Sequence, residues 1–188
     1  MADFRVESTE VIHEGFVVRS EVLSIRTPDG DLIERQVVRH PGAVAVVAIH
    51  DGHVIMVRQY RAALDQDLVE IPAGKLDIDG EDRAEAARRE LIEEVGLDPV
   101  SLVELGRFVT AAGFCDEEIT IFAATDFEEV DRAVDGVEEE YSEILRVPIA
   151  EALATAASGG YTDSKTVIGL FWARERGLFG SPEELTNG

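Results

Sequence analysis

Three glutamates, Glu90, Glu93 and Glu94, stand close together at spacings of three and four residues. In an α-helix these spacings place the side chains on one face, where like charges destabilise a bare helix by roughly a few tenths of a kcal/mol per pair. A shared divalent cation would offset this repulsion, because Mg²⁺ prefers oxygen ligands and leaves room for substrate phosphates. The spacing therefore indicates either a metal site or an acidic helix face that only contacts solvent.

The residues around the three glutamates favour a metal site. A glycine-containing loop, Ile71–Lys75, precedes them in the sequence. Arg89 stands directly before the first glutamate, and Gly96-Leu97 follow the last one closely. A solvated acidic surface gives no reason for these residues to occur together.

The glutamates lie on a segment with helical periodicity. Apolar residues recur at spacings of three and four within Glu81–Val95, which predicts an amphipathic helix with Leu91 and Val95 facing the core. Gly96 is then placed to end the helix in the left-handed conformation. The carboxylates and the apolar residues therefore belong to different faces of one helix.

The remaining elements indicate a mixed β-sheet packed between helices. Strands are predicted at Phe16–Arg26, Leu32–His40, Ala43–Ile49, Val54–Tyr60, Leu102–Val109 and Ile119–Ala124. Asp51-Gly52 predicts a type I′ hairpin turn. Helices are predicted at Ile149–Ala157 and Thr166–Glu175, the second with a core stripe of Val167, Leu170, Phe171 and Trp172. The N-terminal hairpin is separable from this arrangement.

The composition excludes several classes of partner. The chain has 188 residues, with 39 acidic and 17 basic ones, and a formal net charge of −22. Such a surface repels nucleic acids and anionic membranes, so neither is expected as a partner. Cys115 is the only cysteine, which excludes an internal disulfide and fits a cytoplasmic location. No stretch is apolar and long enough to predict a signal peptide or a membrane span.

From Glu81 onward the sequence resembles the Nudix hydrolase box. The positions that match are Glu81, Arg89, Glu90, Leu91, Glu93, Glu94, Gly96 and Leu97. One departure lies before the helix, because six residues rather than five separate Gly74 from Glu81, and Gly80 stands where the strict pattern has glutamate. This insertion leaves the helix register unchanged and bears mainly on the geometry of the loop.

The resemblance extends to the ADP-ribose pyrophosphatase branch of the family. The segments Val57–Arg61, Val69–Lys75 and Ala112–Glu117 are similar to that branch, although Ala112 stands where it commonly has proline. The resemblance implies an α/β (α+β) fold, a Nudix-type α/β/α sandwich with a mixed β-sheet plus an N-terminal β-hairpin subdomain. We therefore expect a dimerising subdomain at residues 1–41 and a hydrolase domain at residues 42–188.

The resemblance also implies a metal-dependent hydrolysis. The metal ligands it implies are the backbone carbonyl of Ala73 and the carboxylates of Glu90 and Glu94, with Mg²⁺ as the ion and Mn²⁺ as a substitute. Glu93 matches either a further ligand or a carboxylate that supports catalysis. Arg89 matches the arginine that orients the glutamates of the box, and it would also serve as an ordinary ion-pair partner of Glu85 or Glu93.

The general base and the substrate-binding residues are expected outside the box. The run Glu138–Glu140 matches the late loop that carries the base, with Glu139 as the first choice, although a solvated acidic loop would have the same sequence. The substrate-binding residues implied by the resemblance are Arg58, Tyr60, Arg61 and Phe114. Tyr60 is equally suited to a dimer seam, and Phe114 to pinning a turn.

Together these observations predict hydrolysis of ADP-ribose to AMP and ribose 5-phosphate by a homodimer. The alternatives are the same reaction on an ADP-sugar, NADH, FAD or GDP-mannose, and a Nudix-fold nucleotide sensor without turnover. The sensor fits the sequence less well, because such modules usually lose glutamates of the box and all three remain here.

Overall fold

The structure is a computed structural model, and it describes residues 3–133 and 140–180. The chain divides into two compact units. The first comprises the chain up to Gly42 together with Phe108–Ile119, and the second comprises Ala43–Arg107 and the chain from Thr120 onward. The domain boundary predicted from the sequence, between residues 41 and 42, stays a prediction.

The first unit contains an antiparallel sheet of three strands. These strands are β1 (Arg5–Glu14), β2 (Arg19–Arg26) and β3 (Leu32–Arg39), in the order β1-β2-β3. The two predicted strands correspond to β2 and β3, whereas β1 was not expected. Every residue of β1 is exposed, so its sequence lacks the alternation of apolar and polar residues that identifies a half-buried strand.

The segment Phe108–Ile119 is held to β3 by backbone and side-chain contacts. The amide of Val38 donates to the carbonyl of Phe114 over 2.7 Å, and the amide of Asp116 donates to Val38 over 3.2 Å. Arg39 links two carboxylates, because it donates to Glu21 over 2.8 Å and to Asp116 over 3.0 Å. Residues distant in the sequence thus form one unit.

The second unit is built on a mixed sheet in which β12, β5, β4, β10 and β9 are neighbours in that order. The short strands β6 and β7 pair with β5 and β4, and β8 and β11 form a separate two-stranded sheet. The bounds are β4 Ala43–His50, β5 His53–Arg61, β6 Gln66–Glu70, β7 Ala73–Lys75, β8 Leu97–Pro99, β9 Val103–Val109, β10 Glu118–Ala124, β11 Phe127–Glu129 and β12 Glu143–Pro148.

Helices cover both faces of this sheet, which confirms the predicted α/β/α sandwich. They are α1 (Arg83–Val95), α2 (Ile149–Ala157) and α3 (Ser164–Glu175). Residues of α1 form one buried cluster with Val44 and Val46 of β4. Val47 points to the opposite face, where it lies against Gly169 of α3. The strand is therefore apolar throughout because both of its faces are buried.

Helix α1 begins two residues later than the sequence predicted. Asp82 has an extended backbone, and its side chain accepts a hydrogen bond from the amide of Ala84 over 2.8 Å, which makes it the N-cap. Glu81 consequently lies just outside the helix. At the other end, Gly96 has a φ of 68°, so the predicted glycine stop is confirmed.

The extra loop residue is accommodated in a tight turn. The amide of Glu81 donates to the carbonyl of Ile78 over 3.2 Å, and Gly80 has a φ of 79°. A positive φ at the third position of such a turn favours glycine. The loop therefore accommodates its additional residue in a hydrogen-bonded turn immediately before α1.

The predicted core stripe of α3 is only partly correct. The buried residues of this helix are Lys165, Thr166, Gly169, Leu170 and Ala173, so Leu170 alone was expected. Periodicity among large apolar residues did not reveal that a glycine and two polar residues form the inner face. No helix in residues 3–133 and 140–180 has both the length and the apolar character of a membrane span.

Candidate active site

A cavity of about 600 Å³ lies in the second unit, beside α1 and the loop between β6 and β7. This volume is in the range of sites that take small organic ligands. Charged side chains from three elements face the cavity. The lining residues are Gln59, Tyr60, Arg61, Ala62, Ala73, Gly74, Lys75, Asp77, Ile78, Arg89, Glu90, Glu93 and Glu94.

Two of the predicted glutamates are buried in the wall of the cavity. Glu90 is 7% exposed and Glu94 is 3% exposed. The amide of Ala73 donates to Glu94 Oε2 over 2.9 Å, which ties the helix to the loop. Burial of two carboxylates is expensive unless they are paired, so these residues are not an ordinary solvated helix face.

Gly74 allows Glu90 to lie directly against the backbone of β7. A Cβ atom at position 74 would lie 1.8 Å from Glu90 Cδ and 2.1 Å from each carboxylate oxygen. Any side chain at this position would therefore displace the carboxylate. This close approach gives the glycine at position 74 a physical reason that does not depend on its φ angle.

Arg89 connects three carboxylates through its guanidinium group. Its Nε and Nη2 atoms each donate to Glu81 over 3.0 Å, and Nη1 donates to Glu90 over 2.7 Å and to Glu93 over 3.0 Å. These hydrogen bonds, those to Glu81 above all, raise the pKa of Arg89 well above its ordinary value. Arg89 therefore forms the ion pair with Glu93, and its other hydrogen bonds hold the carboxylates of Glu81 and Glu90 in place.

Arg61 is held in the cavity by a second, buried ion pair. Its Nε and Nη2 atoms donate to the two oxygens of Glu70 over 2.8 and 2.7 Å, and Lys165 also pairs with Glu70. Burial by itself would raise the pKa of Glu70, but the hydrogen bonds and charges of Arg61 and Lys165 outweigh it, so the pKa lies below its ordinary value. Glu70 therefore remains ionised and fixes the orientation of Arg61.

The same network fixes the loop that carries Ala73. The amide of Ile71 donates to Thr166 Oγ1 over 2.9 Å, and that hydroxyl donates to Asp163 over 2.6 Å. Asp163 also pairs with Lys165 over 3.0 Å. The N-terminus of α3 thereby holds the loop from the side opposite to α1.

The structure places the other predicted residues differently. Tyr60 lines the cavity and is 45% exposed, and its hydroxyl donates to Asp65 over 2.9 Å. Arg58 is not among the lining residues, and it pairs with Glu143 over 2.7 Å. Phe114 belongs to the first unit and is 59% exposed. Glu139, the predicted base, lies outside the described residues.

The residues of the cavity fit a hard divalent cation. Three carboxylates and the carbonyl of Ala73 are oxygen donors, the ligands that Mg²⁺ prefers. In the described part of the chain, no three histidine, cysteine or acidic side chains already form a metal cage.

One lining residue has a buried hydrogen-bond acceptor that also bears on what the cavity could hold. Gln59 is 7% exposed, and within residues 3–133 and 140–180 its buried Oε1 atom has no hydrogen-bond partner. A buried amide oxygen normally has a donor, so this atom, unpaired among the described residues, points to a species bound in the cavity.

Four residues of the site were not predicted from the sequence, namely Gln59, Glu70, Lys165 and Thr166. Glu70 had a recognisable signal, because a charged residue inside the apolar stretch Val69–Ile71 requires a buried partner. Lys165 and Thr166 had none, since they are separated from the loop by about ninety residues, and only the fold brings α3 to it.

The fold and the cavity define a hydrolase-like α/β/α sandwich with an oxygen-rich anionic site, and the comparisons with known proteins identify its family. The NUDIX domain family matches residues 38–166. The chain therefore belongs to the Nudix family, and it is a Nudix hydrolase, which confirms the resemblance seen in the sequence.

Individual relatives cover most of the chain. It is 40% identical over 163 residues to the methanol dehydrogenase activator of Bacillus methanolicus, with 86% of this chain and 88% of that protein covered. It is 38% identical over 162 residues to the ADP-ribose pyrophosphatase of Bacillus subtilis (strain 168), with 86% and 87% covered. The crystal structure of an ADP compounds hydrolase matches 93% of this chain and 94% of that one, with a TM-score of 0.78 and 25% identity.

Proposed function

We propose that this protein hydrolyses the pyrophosphate bond of ADP-ribose to AMP and ribose 5-phosphate. The observation that carries the proposal is the pair of buried carboxylates, Glu90 and Glu94, in the same cavity as the fixed guanidinium of Arg61. The similarity to an ADP-ribose pyrophosphatase and to an ADP compounds hydrolase supports the choice of substrate. The complete set of glutamates favours an enzyme over a sensor.

Glu90, Glu93, Glu94 and the carbonyl of Ala73 would hold the metal, for which we propose Mg²⁺ with Mn²⁺ as a substitute. When bound, the cation neutralises charge on the diphosphate and makes water a stronger nucleophile near neutral pH. Arg89 positions the carboxylates through its hydrogen bonds to Glu90 and Glu93.

Arg61 would bind the diphosphate. Glu70 holds its guanidinium through two hydrogen bonds, and a pre-oriented guanidinium suits phosphate oxygens. Tyr60 lines the same cavity and offers an aromatic surface for adenine. For Arg58 and Phe114 substrate contact remains a prediction from the resemblance, since neither lines the cavity.

A product assay tests the reaction and the substrate together. The protein is incubated with ADP-ribose, ADP-glucose, NADH, FAD and GDP-mannose, with MgCl₂ or with EDTA, and the products are separated by chromatography. We expect AMP and ribose 5-phosphate in equal amounts from ADP-ribose, and no turnover in EDTA. Faster turnover of another diphosphate would replace the substrate assignment, and absence of turnover on the whole panel would contradict the proposed reaction.

Glu139 is proposed as the general base. Three variants, Glu138→Gln, Glu139→Gln and Glu140→Gln, compare the members of the acidic run under identical conditions. We expect Glu139→Gln alone to lower kcat, by on the order of a hundredfold or more, while KM changes little. Equal kcat values for the three variants would place the base elsewhere.

We also propose that the protein is cytoplasmic and that it forms a homodimer through its first unit. Strand β1 is an edge strand, and Val6, Val11 and Ile12 on it are between 50% and 57% exposed. An unpaired edge with exposed apolar residues is unusual in a monomer, and a second copy of the chain would cover it.

Light scattering at micromolar concentration tests the assembly. We expect a species of twice 20.5 kDa, and a shift towards the monomer in Ile12→Lys. Val100→Lys, in the second unit and 63% exposed, is the matched control and should leave the mass unchanged. A wild-type mass of 20.5 kDa would contradict the dimer.

A further inference from the structure

Gln59 occupies the boundary between the apolar core and the charged cavity. Side chains alternate along β5, so Val57, Gln59 and Arg61 share one face of the strand. Val57 packs in the buried cluster with residues of α1, and Arg61 lines the cavity. Gln59 lies between them, 7% exposed, and lines the same cavity as Glu90 and Glu94.

The buried oxygen of Gln59 requires a donor. Within the described ranges, 3–133 and 140–180, no group donates to its Oε1 atom. An unsatisfied buried acceptor destabilises the folded chain, whereas an apolar side chain of the same size would pack there without this cost. A glutamine at this position is therefore better suited to a bound species than to the fold.

In the described ranges the charged residues of the cavity, Lys75 included, do not donate to this oxygen. Glu90 and Glu94 are acceptors when ionised. Arg61 donates to Glu70, and Arg89 donates to Glu81, Glu90 and Glu93. Because no group of residues 3–133 and 140–180 donates to this oxygen, a molecule bound in the cavity is the candidate donor, and the burial of Gln59 favours a small one.

We propose that the side-chain carbonyl of Gln59 accepts a hydrogen bond from a water molecule in the hydration shell of the divalent cation held by Glu90 and Glu94. This inference rests on the proposed function. Mg²⁺ and Mn²⁺ retain water when few side chains bind them, and a cation polarises the O–H groups of that water. Gln59 is thus a positioning residue that acts on the metal without binding it directly.

Metal affinity without substrate is the readout that tests this role. Partners outside the direct ligands typically contribute about 10- to 100-fold to metal affinity. We expect Gln59→Met, which removes the acceptor and keeps the size, to weaken Mn²⁺ binding at least about tenfold, as measured by electron paramagnetic resonance of unbound Mn²⁺. The same variant should unfold at the same temperature as wild type or higher, because it removes an unsatisfied buried acceptor.

Two further variants complete the design. Gln59→Glu keeps an acceptor oxygen and should bind Mn²⁺ at least as tightly as the wild type, unlike Gln59→Met. Gln66→Met removes an exposed glutamine from the neighbouring strand and should leave Mn²⁺ binding unchanged.

The possible failures are distinguishable. Wild-type Mn²⁺ affinity in Gln59→Met would overturn the role of Gln59 and leave the proposed function intact, and an increase only in KM for ADP-ribose would assign the donor to the substrate instead. A loss of thermal stability together with metal affinity in both variants at position 59 would make Gln59 a packing residue. Failure of the wild-type protein to take up Mn²⁺ would contradict the proposed function itself.

Discussion

Glu94 combines a structural contact with the proposed metal-binding role. One of its carboxylate oxygens accepts the amide hydrogen of Ala73, which closes the loop onto α1. Its burial at 3% exposure is tolerated in a cavity that also contains Arg61 and Arg89. A substitution that keeps the acceptor and removes the charge separates the two roles.

Glu94→Gln is that substitution. The amide oxygen can still accept from Ala73, so we expect the unfolding temperature to change little. The lost charge should lower kcat by at least about a hundredfold, because the carboxylate no longer supports the cation. Glu85→Gln, an exposed residue of the same helix, is the control and should keep normal turnover. Near-normal turnover of Glu94→Gln with Mg²⁺ present would contradict the metal-binding role.

At the scale of elements, Gly74 of β7 and Gly80 of the loop before α1 have different reasons to be glycine. Gly74 has no room for a side chain, since a Cβ would lie 1.8 Å from Glu90 Cδ. Gly80 has room, because a Cβ would have no atom within 4 Å, but its φ of 79° is unfavourable for other residues.

The two alanine variants should therefore fail differently. Gly74→Ala displaces Glu90, so we expect a large loss of kcat, on the order of a hundredfold. Gly80→Ala should lower the free energy of unfolding by about 1–2 kcal/mol through backbone strain and leave kcat nearly unchanged. Urea unfolding and steady-state kinetics of both variants check this. Equal losses of kcat would contradict the distinction.

The buried carboxylate of Glu70 connects β5, β6 and α3, and its charge makes the fold sensitive to acid. Its pKa is lowered from an ordinary 4.5 in the folded state, so the unfolded chain binds the proton more readily. The resulting stabilisation is complete above the ordinary pKa and is lost as the pH falls through the lower, folded value.

Glu70→Gln isolates this contribution. Removing one partner of a buried ion pair typically costs about 3–5 kcal/mol, so we expect a deficit of that order at about pH 7. The difference between wild type and variant should shrink as the pH falls below 4.5. Urea unfolding followed by the fluorescence of Trp172, the only tryptophan, measures both values. A difference that is independent of pH would assign the effect to packing.

Sequence patterns predicted the elements that are strongly periodic and failed where tertiary contacts decide. Strand β4 was identified because it is apolar throughout, as a strand with two buried faces must be. Helix α1 was identified because its apolar residues recur on the one face that packs in the core. Strand β1 was missed because it is wholly exposed, and the inner face of α3 because Lys165 and Thr166 are polar. The helix face with Glu90 and Glu94 was predictable, but the ion pair of Glu70 with Lys165 was not, because it depends on the packing of α3.

At the scale of the whole molecule, a net charge of −22 opposes the binding of an anionic substrate. The cavity reduces this locally, since Arg61, Lys75 and Arg89 all line it. These cations alone do not exceed the lining carboxylates in number, and a bound divalent ion would change that balance. The negative net charge is thus compatible with a diphosphate substrate only because cationic side chains line the cavity and a divalent ion would add to them.

The net charge also predicts how the fold responds to salt. Repulsion among the excess carboxylates destabilises the compact state, whereas exposed ion pairs contribute only about 0–1 kcal/mol each and are screened as well. We therefore expect the unfolding temperature to rise by at least about 3 °C when NaCl is increased from about 10 mM to about 500 mM, where the screening length is only a few ångströms. Choline chloride should give the same increase, which excludes specific binding of sodium.

A variant with less charge provides the matched comparison. Neutralising four exposed carboxylates by Asp3→Asn, Glu10→Gln, Asp29→Asn and Glu34→Gln changes the net charge from −22 to −18 without touching the second unit. Because repulsion grows with the net charge, this variant should start at a higher unfolding temperature in low salt and gain less from added NaCl. An unfolding temperature that falls with salt in both proteins would mean that exposed ion pairs, such as Arg26–Glu7 and Arg58–Glu143, outweigh the repulsion.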